Sequence, residues 1–153
     1  MSLVWLSASA AETERLGAAL GSRAFPGMVL CLDGPLGAGK TVLSRGLAQS
    51  LGVTGRIVSP TYQLVAIYDQ ARLPLWHADL YRLSEGSDLD DLGLDEAEEG
   101  VLLVEWSCRS PAQLPVDRLE VQIAIDGEGR RLSLRGTGPR HRALVEALSG
   151  RGG

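Results

Sequence analysis

At 153 residues, with 44% hydrophobic and 22% charged side chains, the chain can bury one sizeable core and is too short for two ordinary domains. This composition excludes disorder, collagen and coiled coil, and no apolar run reaches the length that crosses a bilayer. A net charge of −4 excludes an overall basic field for nucleic acid, so any such contact is local or delegated to a partner.

In chain order, residues 4–6 predict a short strand. The small-residue stretch Ala8-Ser9-Ala10 behind it lacks the basic n-region and apolar length of a signal peptide. Ser9 followed by Glu12 is a capping-box pattern, and Leu16, Ala19 and Leu20 recur at helical spacing until Gly21 ends the segment. Residues 29–33 read as a buried strand and residues 40–51 as a helix carrying Leu43, Leu47 and Leu51, with Gly52 at its end. Residues 64–68 and 73–79 predict two short strands joined by a polar turn at 69–72. The continuous apolar run 101–104, ahead of Glu105, suits a strand buried on both faces of a parallel sheet. Residues 119–125 and 131–135 flank Asp126-Gly127-Glu128-Gly129 and read as a hairpin. Pro139 starts a final helix with Leu144, Val145 and Leu148. With no repeat or linker, residues 1–149 form one domain and 150–153 a frayed tail. Cys31 and Cys108 lack metal-ligand spacing and read as buried or half-buried free thiols in a reducing cytoplasm.

The glycine-rich stretch between the strand and the helix carries the chemistry. Gly34, Gly39, Lys40 and Thr41 meet the pattern G-x-x-x-x-G-K-[ST], with an additional Gly37. Glycines let successive backbone N–H groups turn inward around a phosphate chain, and the following helix adds the positive end of its dipole. The loop residues Gly34, Pro35, Leu36, Gly37, Ala38, Gly39, Lys40, Thr41 and Val42 are therefore the expected nucleotide-binding set. Lys40 should reach the β- and γ-phosphates, and Thr41 should place its hydroxyl on Mg²⁺. Lys40 is also the only lysine; every other cation is arginine. A compact ammonium on a slender stem fits inside such a loop, whereas a planar guanidinium is too broad. Because that lysine is already used, no [NT]-K-x-D guanine motif can exist, which favours ATP over GTP.

A P-loop protein also needs an acid at the end of a neighbouring strand to hold the magnesium water shell. Glu105, after four apolar residues, is the first candidate and a metal-site residue; Asp79 is the second. His77 and Asp79 lie two apart on a predicted strand and share a face. They could touch a metal-bound or attacking water, or simply bond each other. With only two histidines, a histidine-based zinc site is disfavoured. Together these features predict an α/β P-loop NTPase, a mainly parallel sheet flanked by helices with antiparallel hairpin additions.

Five stretches in order resemble the bacterial tRNA threonylcarbamoyladenosine biosynthesis family TsaE, also called YjeE: Leu32-Asp33-Gly34 through Thr41, Ser59-Pro60-Thr61-Tyr62, His77-Ala78-Asp79-Leu80-Tyr81-Arg82-Leu83, Leu92-Gly93-Leu94-Asp95-Glu96, and Glu105-Trp106. The resemblance implies an ATPase that works with TsaB and TsaD to place threonylcarbamoyl on adenosine 37 of tRNAs reading codons that begin with A, touching tRNA through the complex. It further implies that Thr61 sits in a switch-I-type loop sensing γ-phosphate or magnesium, and that Asp79 and Glu105, beside Lys40, serve hydrolysis and metal binding. Trp106 then either contacts the nucleotide or packs as a core tryptophan. Gly34-Pro35 stands where many members have Gly-Asp, and Tyr62 replaces a common phenylalanine; neither removes a phosphate ligand.

The same P-loop would also serve a small-molecule kinase, the rival reading, but no arginine-rich lid is evident between the two acids. A binding module without catalysis is the third class. No arginine is placed by motif as a finger, so slow hydrolysis alone and stimulation by partners is the expectation. Residues 85–99 hold eight of the 19 carboxylates, either a partner-facing surface or a solvated helix face. The arginines from Arg130 to Arg142 either touch tRNA or are exposed side chains of a hairpin.

Overall fold

A computed structural model describes residues 2–35, 37–54, 65–81, 94–109 and 111–151. Leu36, the stretch Ser59-Pro60-Thr61-Tyr62, Arg82, Leu83 and most of the acidic segment lie outside the described residues.

Strand β1 (Ser2–Ser7) leads into helix α1 (Ala10–Ser22), whose N-cap Ser9 accepts from the Glu12 amide at 3.2 Å. The Glu12 carboxylate reaches back one residue further than a standard capping box, accepting from the Ala8 N–H. Strand β2 (Met28–Asp33) then feeds the loop that opens helix α2 (Lys40–Ser50). Gly52, at φ +94°, closes α2 in the left-handed conformation that glycine adopts without penalty. Strands β3 (Val65–Tyr68) and β4 (Leu75–Asp79) pair antiparallel, and β5 (Val101–Glu105) follows. The hairpin β6 (Leu119–Asp126) and β7 (Gly129–Gly136) turns at Gly127, and α3 (Pro139–Arg151) closes the described chain.

These strands form one seven-stranded sheet in the order β1-β7-β6-β2-β5-β4-β3. The centre is parallel, with β2 between β5 and β6 and β4 beyond β5; β1, β7 and β3 join antiparallel. Alternation along β5 explains its unbroken apolar run: Val101 and Leu103 enter the larger core cluster, Leu102 and Val104 the smaller one. All three helices supply the larger cluster, with Leu16, Leu20, Leu43, Leu47, Leu144 and Val145. Each fully buried leucine stabilises the fold by about 1.5–3 kcal/mol. Ala97 and Leu114, in and beside short 3-10 turns, help cover the opposite face. Cys31 is buried within it, and burial pushes its thiol up to about 12; Cys108 is exposed, against the sequence expectation of a buried or half-buried thiol.

Helices α1 and α2 meet at glycines. A Cβ on Gly17 would lie 2.2 Å from the Leu43 carbonyl oxygen, and one on Gly46 would lie 2.1 Å from that of Glu14. In an exposed helix, glycine to alanine gains about 1 kcal/mol. Here the obstacle is backbone and cannot swing aside, so Gly46→Ala is expected to destabilise by about 3 kcal/mol in urea unfolding. This packing also seats the first turn of α2, where Lys40 lies.

Helix α3 takes its cap from a distant loop. Asp117 accepts from the Arg140 and His141 amides at 3.2 and 3.3 Å and from His141 Nδ1 at 2.7 Å. The other ring nitrogen, Nε2, accepts from the Val29 amide at 2.9 Å, so His141 must be neutral. Burial lowers the His141 pKa from 6.5, outweighing the pull of Asp117. Burial opposes ionisation of Asp117 as well, but the His141 ring and the two amides hold its carboxyl down to about 2. Both folded values lie below the unfolded ones, so the unfolded state binds more protons as pH falls. Unfolding midpoints should therefore decline below about pH 6.5 as His141 titrates, and again below 3.8 as Asp117 does. Asp117→Ala should cost about 2–3 kcal/mol, leaving the Val29–His141 bond and the packing of Leu144, Val145 and Leu148 to hold the helix.

Candidate functional site

The site lies where β2 ends. Asp33 is the last strand residue, and the loop beyond it reverses the chain into α2, at the carboxyl ends of the parallel strands where open α/β sheets take their ligands. Gly37 and Gly39 adopt φ of +80° and +111°, the left-handed region that excludes ordinary side chains. Among the described residues, no heavy atom outside its chain neighbours lies within 4 Å of where a Gly37 Cβ would stand, so this glycine answers a backbone requirement rather than a packing one. Gly34 answers a packing requirement instead, since its Cβ would meet the Ile123 carbonyl oxygen at 2.6 Å.

Lys40 is 7% exposed and folds back over the loop. Its Nζ donates to the Gly34 carbonyl at 2.5 Å and to that of Pro35 at 3.5 Å. The same ammonium sits 4.0 Å from the centre of the Trp106 ring, a cation–π distance worth about 0.5–2 kcal/mol. Tyr81 tilts against Trp106, the two ring centres 4.9 Å apart.

Two acids end neighbouring parallel strands in register, Asp79 opposite Glu105. Glu105 is 2% exposed, and its Oε2 lies 2.6 Å from Nε2 of His77, which is fully buried. The imidazole must donate there, because an ionised carboxylate only accepts. Asp79 is less buried; its Oδ1 accepts from the Tyr81 amide at 2.9 Å. Burial raises its pKa above 3.8, with the Glu105 carboxylate adding to the rise and the Tyr81 bond opposing it.

Arg130, at the start of β7, reaches the loop from the opposite side. Its Nε donates to the Ala38 carbonyl at 3.0 Å and Nη2 to that of Gly37 at 3.2 Å. Across a trans peptide the N–H points opposite to the C=O, so holding the Ala38 carbonyl turns the Gly39 N–H away from the guanidinium. A cavity of about 160 Å³ beside the loop is lined by Ser9, Thr13, Ala38, Gly39, Val42 and Arg130. A larger one, about 360 Å³, opens at the other ends of the strands among Gly27, Val29, Leu102 and Arg140 and shares nothing with the loop.

The family profile described as "Threonylcarbamoyl adenosine biosynthesis protein TsaE" matches residues 7–132. The chain belongs to the TsaE family. The tRNA threonylcarbamoyladenosine biosynthesis protein TsaE of Bacillus subtilis (strain 168) is 40% identical over 150 residues, 96% of this chain and 94% of that protein. That of Treponema pallidum (strain Nichols) is 38% identical over 128 residues, 82% of this chain and 94% of the other. The crystal structure of Bacillus subtilis YdiB superposes with a TM-score of 0.85 at 34% identity, covering 100% of this chain and 97% of YdiB. The architecture is accordingly the P-loop NTPase fold of TsaE proteins.

Within this TsaE fold the sequence-predicted Lys40, Trp106, Asp79 and Glu105 come together at one end of the sheet, joined through Tyr81 and His77. His77 bonds Glu105 across the strands rather than Asp79, so the reading of a direct Asp79–His77 bond is not met. Thr61 and Leu36 lie outside the described residues. Sequence reading missed Arg130, grouped there with the exposed hairpin arginines. Only its place just behind the Gly127-Glu128 turn, at the start of the strand whose hairpin partner lies beside β2, separates it from Arg131 and Arg135.

Proposed function

We propose that the chain binds Mg-ATP at loop 34–42 and hydrolyses it to ADP and phosphate. It would do so in the cytoplasm with TsaB and TsaD, supporting N6-threonylcarbamoyladenosine formation at position 37 of tRNAs that read codons beginning with A. The observation that carries this reading is the loop itself: two left-handed glycines and a buried lone lysine whose ammonium, among the described residues, is held by two carbonyls and a π face. Those carbonyls are weak partners for a full positive charge, so Lys40 has much to gain from β- and γ-phosphate oxygens.

The residues fit a magnesium nucleotide. Among the described residues no group of three or more His, Cys, Asp and Glu is placed to hold a metal ion. A six-coordinate cation here would therefore take Thr41, Glu105, phosphate oxygens and water. Magnesium, when bound, would supply positive charge that offsets the charge developing on the phosphates. Glu105, held by His77, supplies a fixed carboxylate at the strand end, and Asp79 beside it orients water. Arg130 holds the loop backbone in its phosphate-facing arrangement. Ser9, Thr13 and Val42 offer a mixed polar and apolar cavity for the rest of the nucleotide. Among the described residues no helix is long and apolar enough to cross a membrane.

The test is phosphate release from Mg-ATP by the chain alone and with TsaB and TsaD. Slow turnover alone, raised by the partners, is expected. Fast turnover by the isolated chain would remove the partner-gated reading, and ATP binding with no hydrolysis under any condition would leave a binding module.

A further inference from the structure

The turn after β5 is tied back onto the strand that precedes the loop. The Trp106 N–H donates to the Leu32 carbonyl at 3.0 Å. The Ser107 hydroxyl donates to Oδ2 of Asp33, and the Cys108 N–H donates to Oδ1 at 3.1 Å. Asp33 is only 8% exposed, where a carboxylate is costly unless its oxygens are taken. Both oxygens accept a hydrogen bond from the turn after β5.

These bonds hold a distorted residue between them. Trp106 is the only described non-glycine residue at positive φ, +58°. A bulky side chain keeps that conformation only where its surroundings enforce it. The indole so presented lies 4.0 Å from Lys40 Nζ. The P-loop pattern asks for no acid at position 33, so nucleotide chemistry alone does not account for this buried carboxylate.

We propose that Asp33 is a positioning residue for Lys40. Its carboxylate clasps Ser107 and Cys108, holds Trp106 in the left-handed conformation, and sets the indole face as the platform on which the Lys40 ammonium waits for phosphate. This role rests on the reading of the loop as a nucleotide site. Without the platform, the four-carbon lysine stem regains its rotamer freedom, and binding must order it again.

The test pairs a nucleotide-independent readout with an affinity. Acrylamide quenching of Trp106 is taken as the difference from a Trp106→Phe background, and the Kd for Mg-ADP is measured by calorimetry. Asp33→Ala should raise quenching and weaken Mg-ADP binding about fivefold, the scale of a lost cation–π contact. Asp33→Asn should restore both, because its carbonyl accepts from Cys108 and its NH₂ can donate to the Ser107 hydroxyl. Ser107→Ala removes one arm only and should move both readouts the same way by less, which keeps the proposal testable if Asp33→Ala does not fold. In a Trp106→Leu background, Asp33→Ala should change Kd less than about twofold, since the two act in series. Unchanged quenching in Asp33→Ala overturns the clasp. An equal affinity loss with and without Trp106 overturns its route to Lys40. Failure of the unsubstituted chain to bind Mg-ADP overturns the nucleotide reading and this role with it. That case is recognised because quenching would still separate Asp33→Ala from Asp33→Asn.

Discussion

Replacing Lys40 with alanine should lower partner-stimulated phosphate release by about a hundredfold or more, the usual cost of deleting one preorganised donor to developing transition-state charge. Folding should change little by comparison. Lys40 bonds two loop carbonyls and one aromatic face, none of which becomes a buried unpaired charge when the ammonium is gone. Lys40→Arg should fail almost as badly, although it keeps the charge. The guanidinium is planar and broad, while the position is 7% exposed and closed on one side by the Trp106 ring. Phosphate release assayed beside thermal unfolding separates the two effects: a variant that loses activity and melting temperature together would mean the lysine holds the loop rather than the phosphates.

The second large effect falls on the His77–Glu105 pair. Their side chains are 0% and 3% exposed and 2.6 Å apart. His77→Leu removes the donor to the buried Glu105 Oε2, and should destabilise by about 3 kcal/mol in urea unfolding. Glu105→Gln should cost far less, about 1 kcal/mol, because the amide oxygen can still accept from Nε2. Its hydrolysis should nevertheless fall about a hundredfold, since the neutral amide no longer holds a metal water shell. The double variant His77→Leu/Glu105→Leu should recover part of the stability lost in His77→Leu, because neither member of that hydrogen bond is then left buried. An additive cycle would show that the two side chains are not coupled. Stability recovered without hydrolysis would separate the packing role of the pair from its chemistry.

Much of this arrangement was legible in one dimension because its signals are local. The glycine spacing of 34–39, the cap pattern at Ser9 and Glu12, the Pro139 start of α3 and the unbroken apolar run of β5 each express a backbone or burial constraint within a few residues. Glu105 was legible for the same reason, as an acid directly behind four buried apolar residues. Other features depend on register between strands far apart in sequence. His77 finds Glu105 only because β4 lies parallel to β5 with Asp79 opposite Glu105. Arg130 finds the loop only because the hairpin adds β6 alongside β2. The α3 cap comes from Asp117, more than twenty positions earlier, where a local rule looks for a cap beside Pro139.

By itself, then, the amino-acid sequence determined the element types, the P-loop, the lone lysine's place within it and the family resemblance, since glycine freedom, hydrophobic period and capping act over a few residues. Tertiary structure alone decided the partners of the buried and half-buried charges: Glu105 with His77, Asp33 with Ser107 and Cys108, Asp117 with His141, and Lys40 with Trp106. The physical reason is desolvation. A charge taken out of water must find its hydrogen bonds wherever the packed sheet brings a polar atom within reach, and that depends on strand order rather than on neighbours along the chain.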